Sequence, residues 1–438
     1  MNVQDFERVA ESFQEFHSFF APAFGRKECR ENSQQYLHAL LVQAQERKNA
    51  ENLAETVPAS PRALQRFLTE SGWDDQAVTE QLQRYLAPRL NDTEGVFIAD
   101  ESGFPKQGKK SAGVARQYCG TLGKVASCQM GVFLAYVSGR GRALVDKALY
   151  LPQAWVEDPT RCDAAGVPRQ AQVYQTKPEL AWKLLERARD WGHLQANWVA
   201  ADDAYGQSPE FRDRLAAAGF WYVLDVPRNT LTWTQTPNLD WHRLEFQERA
   251  ALFPASAWQP ITVGEGAQGE RTYLFACEPV YDNRDQKPCV ALVALYRKNL
   301  DGSEPRYYYA HAPQNTPLAK LARVAAARWS IETEFETNKD DLGLDEYEVR
   351  GWAGWRHHIT LCLLASAFLL SLQQEWGEKD ALDYPSPGLP GGAGTLAQTS
   401  VDACGSTALA RRNPTTQPTR PLFSPKEATR QLAASGTR

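Results

Sequence analysis

Large hydrophobic side chains in the first 92 residues recur every three or four positions, which is the spacing of amphipathic helices. The clearest run covers residues 6–20, and a second covers residues 36–44. No comparable alternation of single residues, as in a strand, occurs in this part of the chain. We therefore predict an all-helical N-terminal domain over residues 1–92.

Two of these predicted helices stand close together near the end of the segment. Ser60 and Pro61 mark the start of the first, because serine caps free amide groups and proline fits the first turn. After a glycine-containing turn, Asp74 marks the start of the second. The arrangement is typical of a helix-turn-helix, and an ordinary helical hairpin explains it equally well.

The pattern changes at Gly95, where short apolar runs replace the helical spacing. Strands are predicted at residues 96–100, 129–137, 143–152, 198–202 and 220–227. Amphipathic helices are predicted at residues 178–189 and 208–215. Neighbouring strands followed by alternating helices and strands predict an α/β fold, a mixed sheet with covering helices.

From residue 228 to 316 the chain favours strands again, with predicted strands at residues 230–234, 271–276, 290–296 and 306–311. Helical spacing resumes at Pro317 and continues to about residue 376. Beyond residue 384 the chain is rich in Pro, Gly, Ser and Thr, which predicts a flexible tail. Ser424 and Glu427 have the spacing of a capping box, so a last short helix is possible there.

Composition narrows the class of protein. The chain has 438 residues, 43% hydrophobic, with a net charge of −5, so it can bury a large core and has no overall basic character. Its eight cysteines form no CxxC pair and indicate reduced thiols in a cytoplasmic protein. No signal peptide is evident, and the apolar run at residues 359–372 suits a buried helix better than a membrane span.

Three acids occupy positions that suggest chemistry. Asp100 and Asp202 are each the last residue of a predicted buried strand, and ligands bind at strand ends in α/β sheets. Glu332 lies on a predicted helix between Arg328 and Lys339, and the 100° turn per residue places all three on one stripe. Two aspartates and a glutamate would suit hard divalent cations. Taken singly, each acid is better explained as a turn, capping or surface residue, and Asp203 competes with Asp202.

Three motifs make the sequence resemble the DDE-type transposases of bacterial insertion sequences. They are residues 97–124, the segment Asp202-Asp203-Ala-Tyr205-Gly206, and Arg328-x3-Glu332-x6-Lys339 continuing to residue 352. The resemblance covers about residues 15–375 and belongs to a branch with a β-rich insertion and a Tyr-Arg-Glu-Lys signature. The chain departs from that signature at Ala325, where this branch often has tyrosine.

The resemblance implies an RNase H-like core interrupted by an insertion. Residues 1–92 would be a helical DNA-binding domain, and residues 93–227 and 317–378 the two parts of the core. Residues 228–316 would be the β-rich insertion, and residues 379–438 a flexible tail. In the family, the catalytic acid lies three residues before the aromatic of the second motif, which selects Asp202 over Asp203.

The resemblance also implies the chemistry. Asp100, Asp202 and Glu332 would hold Mg²⁺, which Mn²⁺ can replace, for hydrolysis of a phosphodiester at the transposon end and attack of the freed 3′-hydroxyl on target DNA. Arg328 and Lys339 would contact phosphates near the cleaved bond. A basic segment after the first acid is predicted to follow the DNA backbone; its cations are Lys106, Lys109, Lys110, Arg116 and Lys124.

Some residues have weaker predictions. Trp233 and Trp241 could stack on an unpaired base, although packing within the fold is the more common role of such residues. His357 and His358 lack ligand partners at metal spacing, which favours helix packing or a DNA contact over metal binding.

Two other functions remain open from the sequence. One is a DNA-binding regulator that has lost catalysis, and the other is an RNase H-like nuclease that cuts without strand transfer. The expected partner is double-stranded DNA, at transposon ends and target, bound by a homodimer. The expected location is the cytoplasm, associated with the nucleoid and not with a membrane.

Overall fold

The computed structural model describes residues 3–43, 47–235, 240–266 and 269–380. In these ranges twelve strands form one mixed sheet. In chain order the strands are β1 (Val96–Pro105), β2 (Ala115–Cys119), β3 (Lys124–Ser138), β4 (Gly141–Leu149), β5 (Trp198–Ala201), β6 (Trp221–Val226), β7 (Leu231–Gln235), β8 (Trp241–Glu245), β9 (Gln259–Gly266), β10 (Gly269–Arg284), β11 (Lys287–Lys298) and β12 (Arg306–His311).

Fourteen α-helices accompany the sheet in the same part of the chain. They are α1 (Val3–Phe20), α2 (Lys27–Val42), α3 (Ala50–Leu53), α4 (Pro61–Thr69), α5 (Asp75–Leu90), α6 (Gln153–Val156), α7 (Pro159–Ala164), α8 (Lys177–Trp191), α9 (Asp203–Gly206), α10 (Pro209–Ala217), α11 (Phe246–Leu252), α12 (Leu318–Ala327), α13 (Trp329–Leu342) and α14 (Trp352–Asp380).

The centre of the sheet has the RNase H-like order β4-β3-β1-β5-β6. Strand β1 is antiparallel to β3, which is antiparallel to β4, whereas β1, β5 and β6 are mutually parallel. Parallel neighbours need a crossover, and α8 supplies it between β4 and β5. A capping box formed by Thr176 and Glu179 starts α8, and Gly192 in the left-handed conformation ends it. The predicted α/β class is therefore confirmed.

Residues 228–316 are rich in strands, as their pattern predicts, and these strands extend the same sheet. Strand β12 pairs antiparallel with β6, and the order continues through β11, β10, β7 and β8. Strands β2, β8 and β9 are absent from the predicted set because they are short or lack clear alternation. The sheet is thus continuous across the predicted insertion, whose boundaries remain a prediction.

The N-terminal helices pack directly on the sheet and on α14. The predicted caps are confirmed: Ser60 Oγ accepts a hydrogen bond from the Ala63 amide at 3.2 Å, and Asp74 Oδ1 from the Gln76 amide at 2.9 Å. Helix α5 contacts α14 and β4 and buries its apolar side chains there. Helices α4 and α5 both pack on α14, and the role of the pair in DNA binding stays a prediction.

Buried ion pairs attach α5 to the rest of the fold. Lys147 on β4 lies 2.9 Å from Asp75 Oδ2, and Arg356 on α14 lies 2.9 Å from Asp75 Oδ1. Lys147 also donates to Thr79 Oγ1 at 2.7 Å. Because these groups are removed from water, each depends on its partners, and the network fixes the orientation of α5.

Helix α14 contains the apolar run that was predicted to be buried. The segment Trp352–Glu375 is long and apolar enough to cross a membrane, yet 78% of its most apolar window is buried in the fold. It packs against α2, α4, α5 and β4, which confirms the prediction of a core helix. Most of the predicted tail, including Ser424 and Glu427, lies outside the described residues.

Candidate active site

Three aspartates lie in one row across the parallel part of the sheet. Ala201 on β5 is level with Ala99 on β1 and with Leu224 on β6. The next residue on each strand therefore falls in the same row and on the same face. These next residues are Asp100, Asp202 and Asp225.

The sequence prediction that Asp100 ends its strand is wrong. Strand β1 continues to Pro105, paired with β3 along its whole length. The apolar run stops at Asp100, but the hydrogen bonding to β3 does not. Asp100 instead marks the point where the parallel pairing with β5 stops, so its carboxylate still faces the space beyond the end of β5.

Asp202 is held by the short helix that follows it. Its Oδ1 accepts a hydrogen bond from the Ala204 amide at 3.0 Å, which makes it the N-cap of α9. The last residue of α9, Gly206, lies against β6 so closely that a Cβ atom there would stand 1.9 Å from the Asp225 carbonyl oxygen. The glycine of the motif is therefore required for this close approach of α9 to β6.

A glutamate that the sequence analysis missed completes a group of three acids. Asp100, Glu101 and Asp202 each place one carboxylate oxygen within 4.8 Å of those of the other two. Tyr205 donates its hydroxyl to Glu101 Oε2 at 2.8 Å, and Lys177 at the start of α8 donates to Glu101 Oε1. Glu101 directly follows Asp100 in the sequence, and this adjacency could have identified it as a residue of the site.

Arg328 stands between the acids of the sheet and the helix that carries Glu332. Its Nη1 lies 2.9 Å from Glu332 Oε1 and 3.5 Å from Asp100 Oδ2, and its Nε lies 3.4 Å from Asp225 Oδ2. One guanidinium group thus contacts three carboxylates from three elements. Its five donors in a rigid plane suit this role.

The raised pKa values of the aspartates indicate that Arg328 alone does not neutralise the negative charge of the cluster. Burial raises the pKa of Asp100 well above its ordinary value, and Asp202 raises it further. Burial, then Glu101 and Asp203, raise the pKa of Asp202 to about 7. Burial also raises the pKa of Asp225 to about 6, although Arg328 opposes the shift. The site favours additional positive charge.

The helix stripe predicted from the sequence faces this cluster. Arg328, Glu332 and Lys339 all line one cleft of about 940 Å³, together with Asp100 and Asp202. The helix is not continuous, because α12 ends at Ala327 and α13 starts at Trp329. Lys339 donates to Thr121 Oγ1 at 2.8 Å across the cleft. The structure therefore brings the three predicted acids and the two signature cations together.

The basic segment after Asp100 divides into two groups. Lys106 donates to the carbonyl oxygen of Tyr347 at 3.1 Å and lies 3.5 Å above its ring, so it supports the fold and its predicted DNA contact gains no support. Burial lowers the pKa of Lys106 to about 8. The other four remain exposed and free to meet a phosphate backbone; they are Lys109, Lys110, Arg116 and Lys124.

The tryptophans and histidines with weaker predictions serve mainly in packing. Trp233 donates its indole N–H to Asn283 Oδ1 at 2.8 Å, whereas Trp241 stays 40% exposed. His357 lies between the carbonyls of Leu68 and Trp73, and His358 between Tyr36 and Gly343, all at 2.7–3.2 Å. Both histidines are buried and neither lines the cleft described above, which confirms helix packing.

Asp225, Arg228 and Arg306 also line the cleft and were missed in the sequence. Asp225 follows an apolar run on β6 just as Asp100 does on β1, so the same signal was present for it. Nothing local marks Arg306, because β12 reaches the cleft only through its pairing with β6.

The donors present fit a divalent cation. Carboxylate oxygens are the ligands that Mg²⁺ and Mn²⁺ prefer, and three of them converge within 4.8 Å. Glu332 lies outside this closest group because it is paired with Arg328.

Comparison with known proteins agrees with this geometry. The sequence matches the DDE superfamily endonucleases over residues 19–262 and the transposase DDE domain over residues 173–368. The chain belongs to the DDE transposases. This transposase is 30% identical over 316 residues to the "Probable transposase for insertion sequence element IS701" of Microchaete diplosiphon, a match that covers 72% of this chain and 76% of that protein.

A solved structure of a piggyBac transposase synaptic complex with hairpin DNA also resembles the transposase. The alignment covers 98% of this chain and 80% of that one, with 9% sequence identity and a TM-score of 0.43. A score this low supports no argument about the site. The family assignment rests on the sequence matches, and this family uses divalent metal and acts on DNA.

Proposed function

We propose that the transposase cuts phosphodiester bonds at the ends of its own DNA element and joins the freed 3′-hydroxyl ends to target DNA. The observation that carries this proposal is the convergence of Asp100, Asp202 and Glu332 on one cleft. Two of the acids come from adjacent parallel strands and the third from a helix across them. Cations stand at the rim of the same cleft, where a phosphate backbone would enter.

Asp100, Asp202 and Glu332 would hold Mg²⁺, with Mn²⁺ as a substitute. The bound cation would activate the attacking oxygen and stabilise the leaving oxygen of a phosphodiester. Glu332 would join the two aspartates once Arg328 releases it. Asp203 is exposed and lies outside the closest group of carboxylates, which supports Asp202 as the second acid.

The cations of the cleft would hold the DNA strand. Arg328 would exchange its carboxylate partners for phosphate oxygens, which its planar group can contact in pairs. Lys339 would contact a phosphate on the other side of Glu332. Arg228 and Arg306 are exposed at the far wall of the cleft and would bind the strand that enters from that side. Double-stranded DNA is the substrate in this proposal.

Transposition also requires two DNA ends to be held together, so we propose a homodimer on DNA. Its place of action would be the bacterial cytoplasm, on the nucleoid. Lys109 and Lys110 in the loop after β1 and Arg116 and Lys124 on the β2–β3 hairpin are exposed and would contact the backbone of the duplex outside the cleft.

The test uses a duplex that carries the inverted repeat bordering the reading frame. We expect Asp100→Ala, Asp202→Ala and Glu332→Ala each to abolish Mg²⁺-dependent cutting while DNA binding, measured by fluorescence anisotropy, persists. Asp203→Ala is the matched control and should still cut. The choice of the second acid is wrong if Asp203→Ala is inactive and Asp202→Ala is active.

Products on gels separate the other two functions. Cutting without joined target DNA would indicate a nuclease, and binding with neither product would indicate a regulator. The proposed function requires joined products whose formation depends on the same three acids.

A further inference from the structure

An exposed apolar cluster lies on the hairpin formed by β2 and the first residues of β3. Tyr118 is 63% exposed, Leu122 44% and Val125 52%. Tyr118 and Val125 are opposite each other in the β2–β3 register, so their side chains share one face about 5 Å apart. Exposed apolar clusters of this kind mark binding surfaces. We call these three residues the hairpin cluster.

The hairpin is firmly attached, so the exposure does not come from a loose segment. Its other face packs Cys119 and Cys128 against Met130, all buried. At the turn, Thr121 donates to the Gly103 carbonyl oxygen at 2.9 Å and accepts from Lys339 at 2.8 Å. The hydrogen bond to Lys339 ties the hairpin to α13, and the hairpin cluster therefore has a fixed position relative to the acids.

The position and charge of the hairpin indicate its partner. Tyr118, with the adjoining turn, lines the same cleft as Asp100 and Glu332, so a DNA strand that fills the cleft would contact the hairpin. Arg116 and Lys124 are exposed on the same hairpin. Apolar side chains flanked by cations are the combination with which proteins unstack bases while holding the backbone.

We propose that the hairpin cluster is a wedge that separates the base stack of the DNA end beside the bond to be cut. Tyr118 presents its ring to a base, with Val125 and Leu122 beside it, and Arg116, which shares the face of Tyr118, contacts a neighbouring phosphate. The wedge rests on the proposed function, because it requires the DNA end to enter the cleft. It adds a contact to the bases that the acids and signature cations do not supply.

The test places the fluorescent base 2-aminopurine beside the cleavage position in the inverted-repeat duplex, in metal-free buffer so that no strand is cut. We expect the full-length protein to raise its fluorescence severalfold, because the base becomes unstacked. Tyr118→Ala should lose most of this rise and bind the duplex about tenfold more weakly. Tyr118→Phe keeps the ring and should behave as the wild type.

Two further arms make the result specific. Leu252→Ala is the control for loss of an exposed apolar side chain, since Leu252 is 72% exposed and does not line the cleft. A mismatch beside the cleavage position should restore the cutting rate of Tyr118→Ala, because the mismatch supplies the unstacking. A variant defective for other reasons would gain nothing from the mismatch.

The outcomes separate the wedge from the proposed function. If the wild type cuts the duplex with no rise in fluorescence, or if Tyr118→Ala keeps the full rise, the wedge is overturned and the cutting activity stands. If Tyr118→Ala instead changes the sedimentation of the DNA-free protein, the cluster binds a second copy of the chain and the wedge is again wrong. If the wild type neither binds nor cuts, both proposals fail together.

Discussion

Replacing Gly206 by alanine tests whether close packing of α9 on β6 positions Asp202. The backbone of Gly206 does not require a positive φ, so alanine fits its conformation. The obstacle is the added Cβ atom, which would meet the Asp225 carbonyl oxygen at 1.9 Å and its carbonyl carbon at 3.0 Å. Neither atom can turn aside as a flexible side chain could, because both belong to the backbone of β6.

The size of the effect follows from the geometry. Nonbonded carbon and oxygen atoms keep about 3.3 Å apart, so α9 must move by about 1.4 Å. Asp202 caps α9 through the Ala204 amide and should move with it. A displacement of about 1 Å at a catalytic group can cost about 100-fold in rate, and overpacking costs about 1–3 kcal/mol of stability. We expect both effects in Gly206→Ala.

Two measurements on the same preparation separate these effects. The cutting rate of the inverted-repeat duplex, with enzyme in excess, reports the position of Asp202. Urea denaturation reports the free energy of unfolding. Gly72→Ala is the matched control, because no atom lies within 4 Å of its added Cβ, and both quantities should stay close to the wild type. Equal rates for Gly206→Ala and Gly72→Ala would refute the reasoning.

Two other predictions concern charge. Because the pKa of Asp202 is raised to about 7, protons compete with the metal, and Mg²⁺ affinity measured by calorimetry should fall as the pH falls through about 7. In the metal-free protein the same shift works in the opposite direction: the free energy of unfolding should decrease as the pH rises from about 4 to about 7 and then level off, since the fold disfavours ionised Asp202. In Asp202→Asn the stability trend should become weaker without vanishing, because Asp100 and Asp225 keep raised pKa values, and an unchanged trend would contradict this. Lys147→Met should lower the free energy of unfolding by about 3 kcal/mol in urea, because Asp75 loses a buried partner. The control Lys27→Met removes an ion pair whose lysine is 88% exposed and should cost less than about 1 kcal/mol; equal losses would show that burial does not matter here.

The contacts of Arg328 bear on how the site changes state. In this structure it occupies the space between Glu332, Asp100 and Asp225, where it neutralises part of the acidic cluster. A metal ion would compete with Arg328 for the carboxylates, and a DNA phosphate would compete with the carboxylates for Arg328. Binding of the two is therefore expected to be coupled through Arg328, since releasing Glu332 serves the metal and freeing the guanidinium serves the phosphate.

The sequence by itself determined the local elements and the chemistry-bearing motifs. The length of the apolar run at residues 359–372 predicted α14 as a core helix. The residue types at Ser60 and Asp74 predicted the two caps. The spacing of Arg328, Glu332 and Lys339 was sufficient to place them on one stripe, because a helix relates residues of the same segment by a fixed rotation. The motifs then gave the family.

Only the tertiary structure decided which distant residues meet. Arg306 reaches the cleft through the pairing of β12 with β6, whereas Lys106, which was predicted to contact DNA, donates to the carbonyl oxygen of Tyr347. The register of one strand against another depends on contacts between segments far apart in the chain. No local sequence pattern contains this information. For the same reason the sequence showed a glycine after Tyr205 but not the β6 carbonyl that leaves no room for any other residue.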